Sequence, residues 1–109
     1  MTETTRRAAI ATILATPLAL SVSRAQAATH VVTIERFEYD PVNLQASVGD
    51  TVVFTNLDAA PHTATARDGS FDTGLLGRNE SGSITLTSAG TFDYICVFHP
   101  GMGGTVTVT

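Results

Sequence analysis

Residues 91–96 read Thr-Phe-Asp-Tyr-Ile-Cys, which puts Phe92, Tyr94 and Cys96 on one face of an extended strand and Thr91, Asp93 and Ile95 on the other. A strand with one apolar face has to be covered by a second layer, so this segment commits the chain to a packed sheet. Comparable short runs, rich in β-branched residues and bounded by turn residues, lie at 30–34, 43–48, 51–56, 62–67, 82–87 and 104–109, and no stretch carries a helical period. Gly49-Asp50 closes a tight turn between apolar faces formed by Leu44, Ala46 and Val48, then Val52 and Phe54; Ser88-Ala89-Gly90 turns the chain again. The pattern predicts an all-β fold, a two-sheet Greek-key β-sandwich of about seven to eight strands, with residues 68–79 as a long connection.

The strand ending at Cys96 runs into Val97-Phe98-His99-Pro100-Gly101-Met102. A thiol, an imidazole and a thioether recur at intervals of three, a spacing that would share one face of a helix. Pro100 with Gly101, Gly103 and Gly104 rules the helix out, so the segment must be a loop wrapped around a ligand. A soft thiolate, a borderline imidazole and a weak thioether suit copper cycling between Cu(I) and Cu(II). Zinc would call for more thiolate or imidazole and has little use for methionine. A trigonal site needs a second imidazole, and His62 of Pro61-His62-Thr63 supplies it if two neighbouring strand ends meet at one pole of the sandwich. A lone cysteine or methionine is often only a core side chain, and a lone His62 could be a surface-loop or strand-end residue; the nearby His99 and Met102 mark Cys96 as a ligand, and the company of these three raises His62 to one.

Cys96 is the single cysteine of the 109 residues, and the beginning of the chain explains why that matters. Arg6 and Arg7, the apolar run 8–22 and the small-x-small triplet Ala25-Gln26-Ala27 read as an export signal over 1–27, removed to leave a domain at 28–109. The run is too short and too interrupted to span a bilayer, and the arginine pair leaves the Sec and twin-arginine routes both open. In an oxidising exported compartment an unpaired thiol is a liability unless it has a chemical task. Residues 28–109 carry nine carboxylates against Arg36, Arg67 and Arg78, a formal charge of −6 where the whole chain has −4. That surface disfavours nucleic acid and anionic membranes and favours a partner with a basic face. Cleavage after Ala27 also leaves His30 third in the chain, where an amine, two backbone amides and an imidazole can hold Cu(II) in a square plane, although strand formation competes with this.

On Val48-Gly49-Asp50-Thr51-Val52, Asn56 followed by Pro61-His62, Gly90-Thr91-Phe92-Asp93-Tyr94-Ile95-Cys96 and Gly104-Thr105-Val106-Thr107-Val108, residues 28–109 resemble the cupredoxin (blue copper protein) family. The short Cys-x-x-His-Pro-x-Met spacing is most similar to the amicyanins, since plastocyanins and pseudoazurins place more residues between His and Met. The resemblance implies a periplasmic monomer that performs no catalysis and carries single electrons. One copper ion would be bound by His62, Cys96 and His99, with Met102 as a long axial ligand. Transient redox partners, such as a dehydrogenase or a c-type cytochrome, would exchange the electron. The chain departs from the amicyanin pattern at two positions. Phe98 stands where amicyanins have proline, leaving an N–H able to bond the Cys96 sulfur. Thr63 stands where the family has an asparagine that ties the ligand loops together, so that cross-link is expected to weaken.

Two rival functions use the same residues. A copper carrier that delivers the metal itself would need the same ligands. A copper enzyme would need a second, histidine-rich centre, and after His62 and His99 only His30 remains.

Overall fold

A computed structural model of the chain describes residues 26–109; the expected export segment lies, up to residue 25, outside the described residues. Eight strands follow in order: β1 (Thr29–Glu35), β2 (Glu38–Asp40), β3 (Asn43–Ala46), β4 (Thr51–Asn56), β5 (Thr65–Ala66), β6 (Ser81–Thr85), β7 (Gly90–Cys96) and β8 (His99–Val108). They form two four-stranded sheets, ordered β2-β1-β4-β6 and β3-β8-β7-β5. The β1–β4 and β3–β8 pairs are parallel and the others antiparallel, as in a sandwich whose strands change sheet between hairpins. Among the described residues no helix is long and apolar enough to cross a membrane.

Alternation decides what is buried. Val32 and Ile34 of β1, Val52 and Phe54 of β4 and Ile84 of β6 face Tyr94 and Cys96 of β7 and Val106 and Val108 of β8. Tyr39 stands edge-on to Tyr94, with ring centroids 4.7 Å apart, and Phe54 packs on Tyr94 at 5.3 Å, the offset geometry that aromatic rings prefer. Burial pushes the hydroxyls of Tyr39 and Tyr94 far above their ordinary pKa.

The structure departs from the sequence reading at β2, at β5 and in the ligand segment. Strand β2 has no sequence signature of its own, being three residues paired onto β1 through a turn in which Arg36 and Phe37 both take positive φ, 54° and 61°. The run 62–67 is reduced to β5, because His62 and Thr65 instead form isolated bridges to Leu76 and Asp72 of the long connection. Val48, expected on an apolar face, is half exposed because β3 ends before it. The ligand segment is a bulged hairpin rather than a free loop. Ile95 pairs with Gly103 and Cys96 with His99, so Pro100, Gly101 and Met102 are extruded between two adjacent pairs of the ladder.

Asp50 closes the end of the sandwich where β4 starts. Its carboxylate accepts hydrogen bonds from the amides of Ala28 (2.9 Å) and Ser47 (2.9 Å) and pairs with His30 Nε2 (2.8 Å). The Ala28 amide, His30 and the Ser47 amide together lower its pKa to about 2 from 3.8, against the opposing effect of burial. A carboxyl depressed in the folded state contributes stability above its unfolded pKa and loses it as pH falls through the folded value. The acid limb of metal-free protein stability between about pH 4 and pH 2 should therefore be shallower in Asp50→Asn, as read by urea titrations at each pH. At the same time Gly104 lies against Tyr94, where an added Cβ would sit 2.5 Å from the ring Cζ. Gly104→Ala should cost about 1–3 kcal/mol through overpacking, measurable as a lower denaturation midpoint.

Candidate metal centre

Three donor atoms meet at the pole opposite Asp50. Cys96 ends β7 pointing inward and is wholly buried. His99 opens β8 beside it, with Nδ1 3.5 Å from Cys96 Sγ, and His62 turns its own Nδ1 to 3.7 Å from the same sulfur. All three ligand atoms lie within 4.8 Å of one another. An ion about 2.0–2.3 Å from nitrogen and sulfur donors requires nitrogen–sulfur separations of about 3.5–3.8 Å, so the spacing fits a single bound ion. Met102, 6% exposed, belongs to the same buried cluster as Cys96 and comes from the extruded part of the hairpin. One thiolate, two imidazoles and a nearby thioether are the soft and borderline donors that suit copper in both oxidation states. The four residues singled out in the sequence are therefore gathered at one pole, two of them deeply buried and His99 partly exposed.

His62 is placed by a loop built around Asn56. The buried Asn56 amide donates to the carbonyls of Ala60 and Leu76, both at 2.9 Å, and its oxygen accepts from Asp58 N–H. Backbone bonds in both directions between His62 and Leu76 hold the residue itself. Its outer nitrogen, Nε2, lies 2.9 Å from Asp58 Oδ2, a pairing that leaves Nδ1 for the ion and fixes the ring plane. Asp58 also accepts the amides of Arg36 (2.8 Å) and Phe37 (3.0 Å). Burial pushes its carboxyl up, but the Phe37 and Arg36 amides and His62 outweigh this and hold it below its ordinary range. The same contact stations the β1–β2 turn over the site. There Phe37 stands edge-on to both ligand rings, 4.9 Å from His62 and 4.7 Å from His99.

Thr63 provides the cross-link that its identity had put in question. Its hydroxyl accepts the Val97 amide at 3.1 Å. The Thr65 hydroxyl spends its proton on Asp72, so Thr63 Oγ1 donates to Thr65 and remains free to accept from Val97. The Thr63 amide donates to Cys96 Sγ at 3.4 Å. Among the described residues no such bond comes from Phe98, the donor expected from the sequence; its side chain is exposed instead.

Sequence reading overlooked Asp58 and Phe37. An acidic residue four positions before His62 was a usable sign for the first. Nothing local marks Phe37, which reaches the site only because β2 pairs with β1. Asp58→Ala strips three donors of their acceptor at once and should weaken copper binding about 10- to 100-fold, as measured by competition against a chelator of known affinity.

Comparison with known proteins adds independent support. Residues 8–108 match the cupredoxin-like domain family. The amicyanin of Paracoccus denitrificans is 38% identical over 88 residues, 72% of this chain; the chain spans 63% of that relative's length. Amicyanin-alpha of Methylorubrum extorquens is 30% identical over 93 residues, covering 81% of this chain and 78% of the relative. Among solved structures, a methionine-to-glutamine mutant of amicyanin with Cu(I) superposes with a TM-score of 0.69 at 32% identity, over 74% of this chain and 82% of the other.

Proposed function

The chain belongs to the cupredoxin-like family, with amicyanins among its relatives, and from that premise we propose that it is a periplasmic type 1 (blue) copper protein carrying single electrons between redox partners. The observation that carries this reading is the convergence of Cys96 Sγ and the Nδ1 atoms of His62 and His99 in a mostly buried pocket. His62, Cys96 and His99 would hold the copper ion, with the Met102 thioether as a fourth, weaker donor. A bound copper ion supplies the one-electron Cu(I)/Cu(II) couple.

The residues around it set the conditions for that couple. Burial of Cys96 and the hydrogen bond from the Thr63 amide govern how strongly the thiolate charge is stabilised, and hence the potential. The braced positions of His62, through Asp58, and of the Cys96–His99 hairpin, through Thr63, keep the donors in place in either oxidation state. His99 is the partly exposed ligand; Phe37 stands edge-on to it, and the exposed apolar side chains Leu57, Val97 and Phe98 lie on the segments that carry His62 and His99. We assign His99 as the exit for the electron and this rim as the contact for a transient partner, the kind of small, brief interface that redox encounters use. The protein acts as a carrier, with no bond made or broken in a substrate.

Delivery of the metal itself is disfavoured by two ligands with no exposed surface, Cys96 and His62. Copper-loaded protein should show an intense visible thiolate-to-copper band that disappears in Cys96→Ser, together with electron self-exchange far faster than copper release. A colourless copper complex would refute the site assignment; rapid release with sluggish self-exchange would show that the cargo is the metal.

A further inference from the structure

The pole opposite the metal centre holds a second carboxylate that collects backbone amides and a histidine. Asp50 is 5% exposed and takes hydrogen bonds from two backbone amides and from His30. Among the described residues His30 is its one titratable partner within ion-pair distance. Thr109, whose backbone oxygen accepts the Val48 amide, and Leu86, which accepts the Gly49 amide and donates to the Asp50 carbonyl, tie two other segments to this turn. A buried carboxylate supplied mostly by neutral donors is short of positive charge, and one of those donors is the nitrogen of Ala28.

We propose that hydrolysis of the Ala27–Ala28 bond turns the Ala28 nitrogen into an α-ammonium that Asp50 holds as a partly buried ion pair, locking the first strand into the sandwich. In the step, water adds hydroxyl to the Ala27 carbonyl carbon, the carbon–nitrogen bond breaks, and the departing amine becomes –NH3+ by taking one proton from that water and one from the new carboxyl group, which is left on Ala27 as a carboxylate. Water is the co-reactant, and the catalyst is a processing peptidase that reads small residues one and three places before the cut, which here are Ala27 and Ala25.

The register singles out this bond. Ala28 is held at both ends: its nitrogen lies 2.9 Å from Asp50 Oδ1, and its carbonyl accepts the Thr51 amide at 2.9 Å. A cut one residue later would leave both Asp50 and the Thr51 amide without their partner. A cut one residue earlier would leave a neutral amide on the carboxylate. Gln26, Ala27 and Ala28 are exposed, so the new terminus needs no rearrangement of the core. Strand β4 separates Asp50 from the loop that carries His62, about 17 Å at the rise of an extended chain, so the lock operates apart from the metal. The same contacts keep the third residue, His30, from chelating copper: it lies in β1 paired with Val52, and its Nε2 is engaged by Asp50.

The test takes the product exported from the full chain and compares it with one carrying a single extra residue ahead of Ala28. Mass spectrometry should show the exported product beginning at Ala28; any other start overturns the proposal. An ion pair raises the amine pKa, so its stabilisation is present below the unfolded value of about 7.7–8.0 and lost as pH rises through the folded value. The amine should react with an acylating reagent at least about tenfold more slowly at neutral pH than an ordinary terminal amine, equivalent to a shift of at least about one unit. The native product should also melt above the extended one at pH 7, with the gap closing in strong base. In Asp50→Asn the amine should regain ordinary reactivity. Because native and extended proteins both retain Asp50, the comparison stands even if that variant does not fold. Equal melting of the two forms, an amine of ordinary reactivity beside Asp50, or capture of Ni(II) by the folded amino terminus would each overturn the proposal.

Discussion

Thr63 commits every polar group it owns to holding the ligand pole together. Its amide donates to the Cys96 sulfur, its hydroxyl takes the amide of Val97, and its carbonyl accepts the hydroxyl of Tyr39. The residue follows one candidate ligand directly and reaches the hairpin that carries the other three, so the two ligand segments cannot separate without breaking bonds in a dry environment, where each unmade hydrogen bond is costly. Through Tyr39 the cross-link continues into the aromatic cluster with Tyr94 and Phe54. The site is in that sense an extension of the core.

Two carboxylates organise the ends of the sandwich, and both do it by collecting donors from distant parts of the chain. Asp58 gathers the β1–β2 turn and the outer nitrogen of His62, coupling the placement of a ligand to that of Phe37 above it. Asp50 gathers Ala28, Ser47 and His30, joining the beginning of β1 to the turn between β3 and β4. In both cases backbone amides provide most of the hydrogen bonds, which lowers the carboxyl pKa and makes the contact persist to low pH. For a domain of this size, with a limited apolar core, such knots and a bound ion add needed stabilisation.

Several features were legible in the residues because the information is local. Alternation in 91–96 placed Phe92, Tyr94 and Cys96 on one face, and the structure buries Tyr94 and Cys96 there. The bounds of β4 and the position of Cys96 at a strand end follow from the same period of two. The chemistry of the donor set was also legible, since thiol, imidazole and thioether are recognisable by type and by their spacing around Pro100 and Gly101. What escaped was set by pairing. Strand β2 is too short to carry a pattern, and its turn places two non-glycine residues at positive φ, which no local preference announces. The contribution of Thr63 was misjudged because its hydroxyl can replace an amide side chain only if Val97 lies within reach, a fact of two loops meeting.

The sequence by itself therefore determined the sheet architecture, the kind of metal the chain can hold and which side chains could hold it, because periodicity and donor softness are properties of residues and short spacings. The tertiary structure decided which nitrogen of each histidine faces the sulfur, which amide bonds the thiolate, that Asp58 and Phe37 belong to the site, and that Asp50 waits on the nitrogen of Ala28. Those are relations between segments more than twenty residues apart, or orientations fixed by such relations, and they come into existence only when the two sheets close over one core.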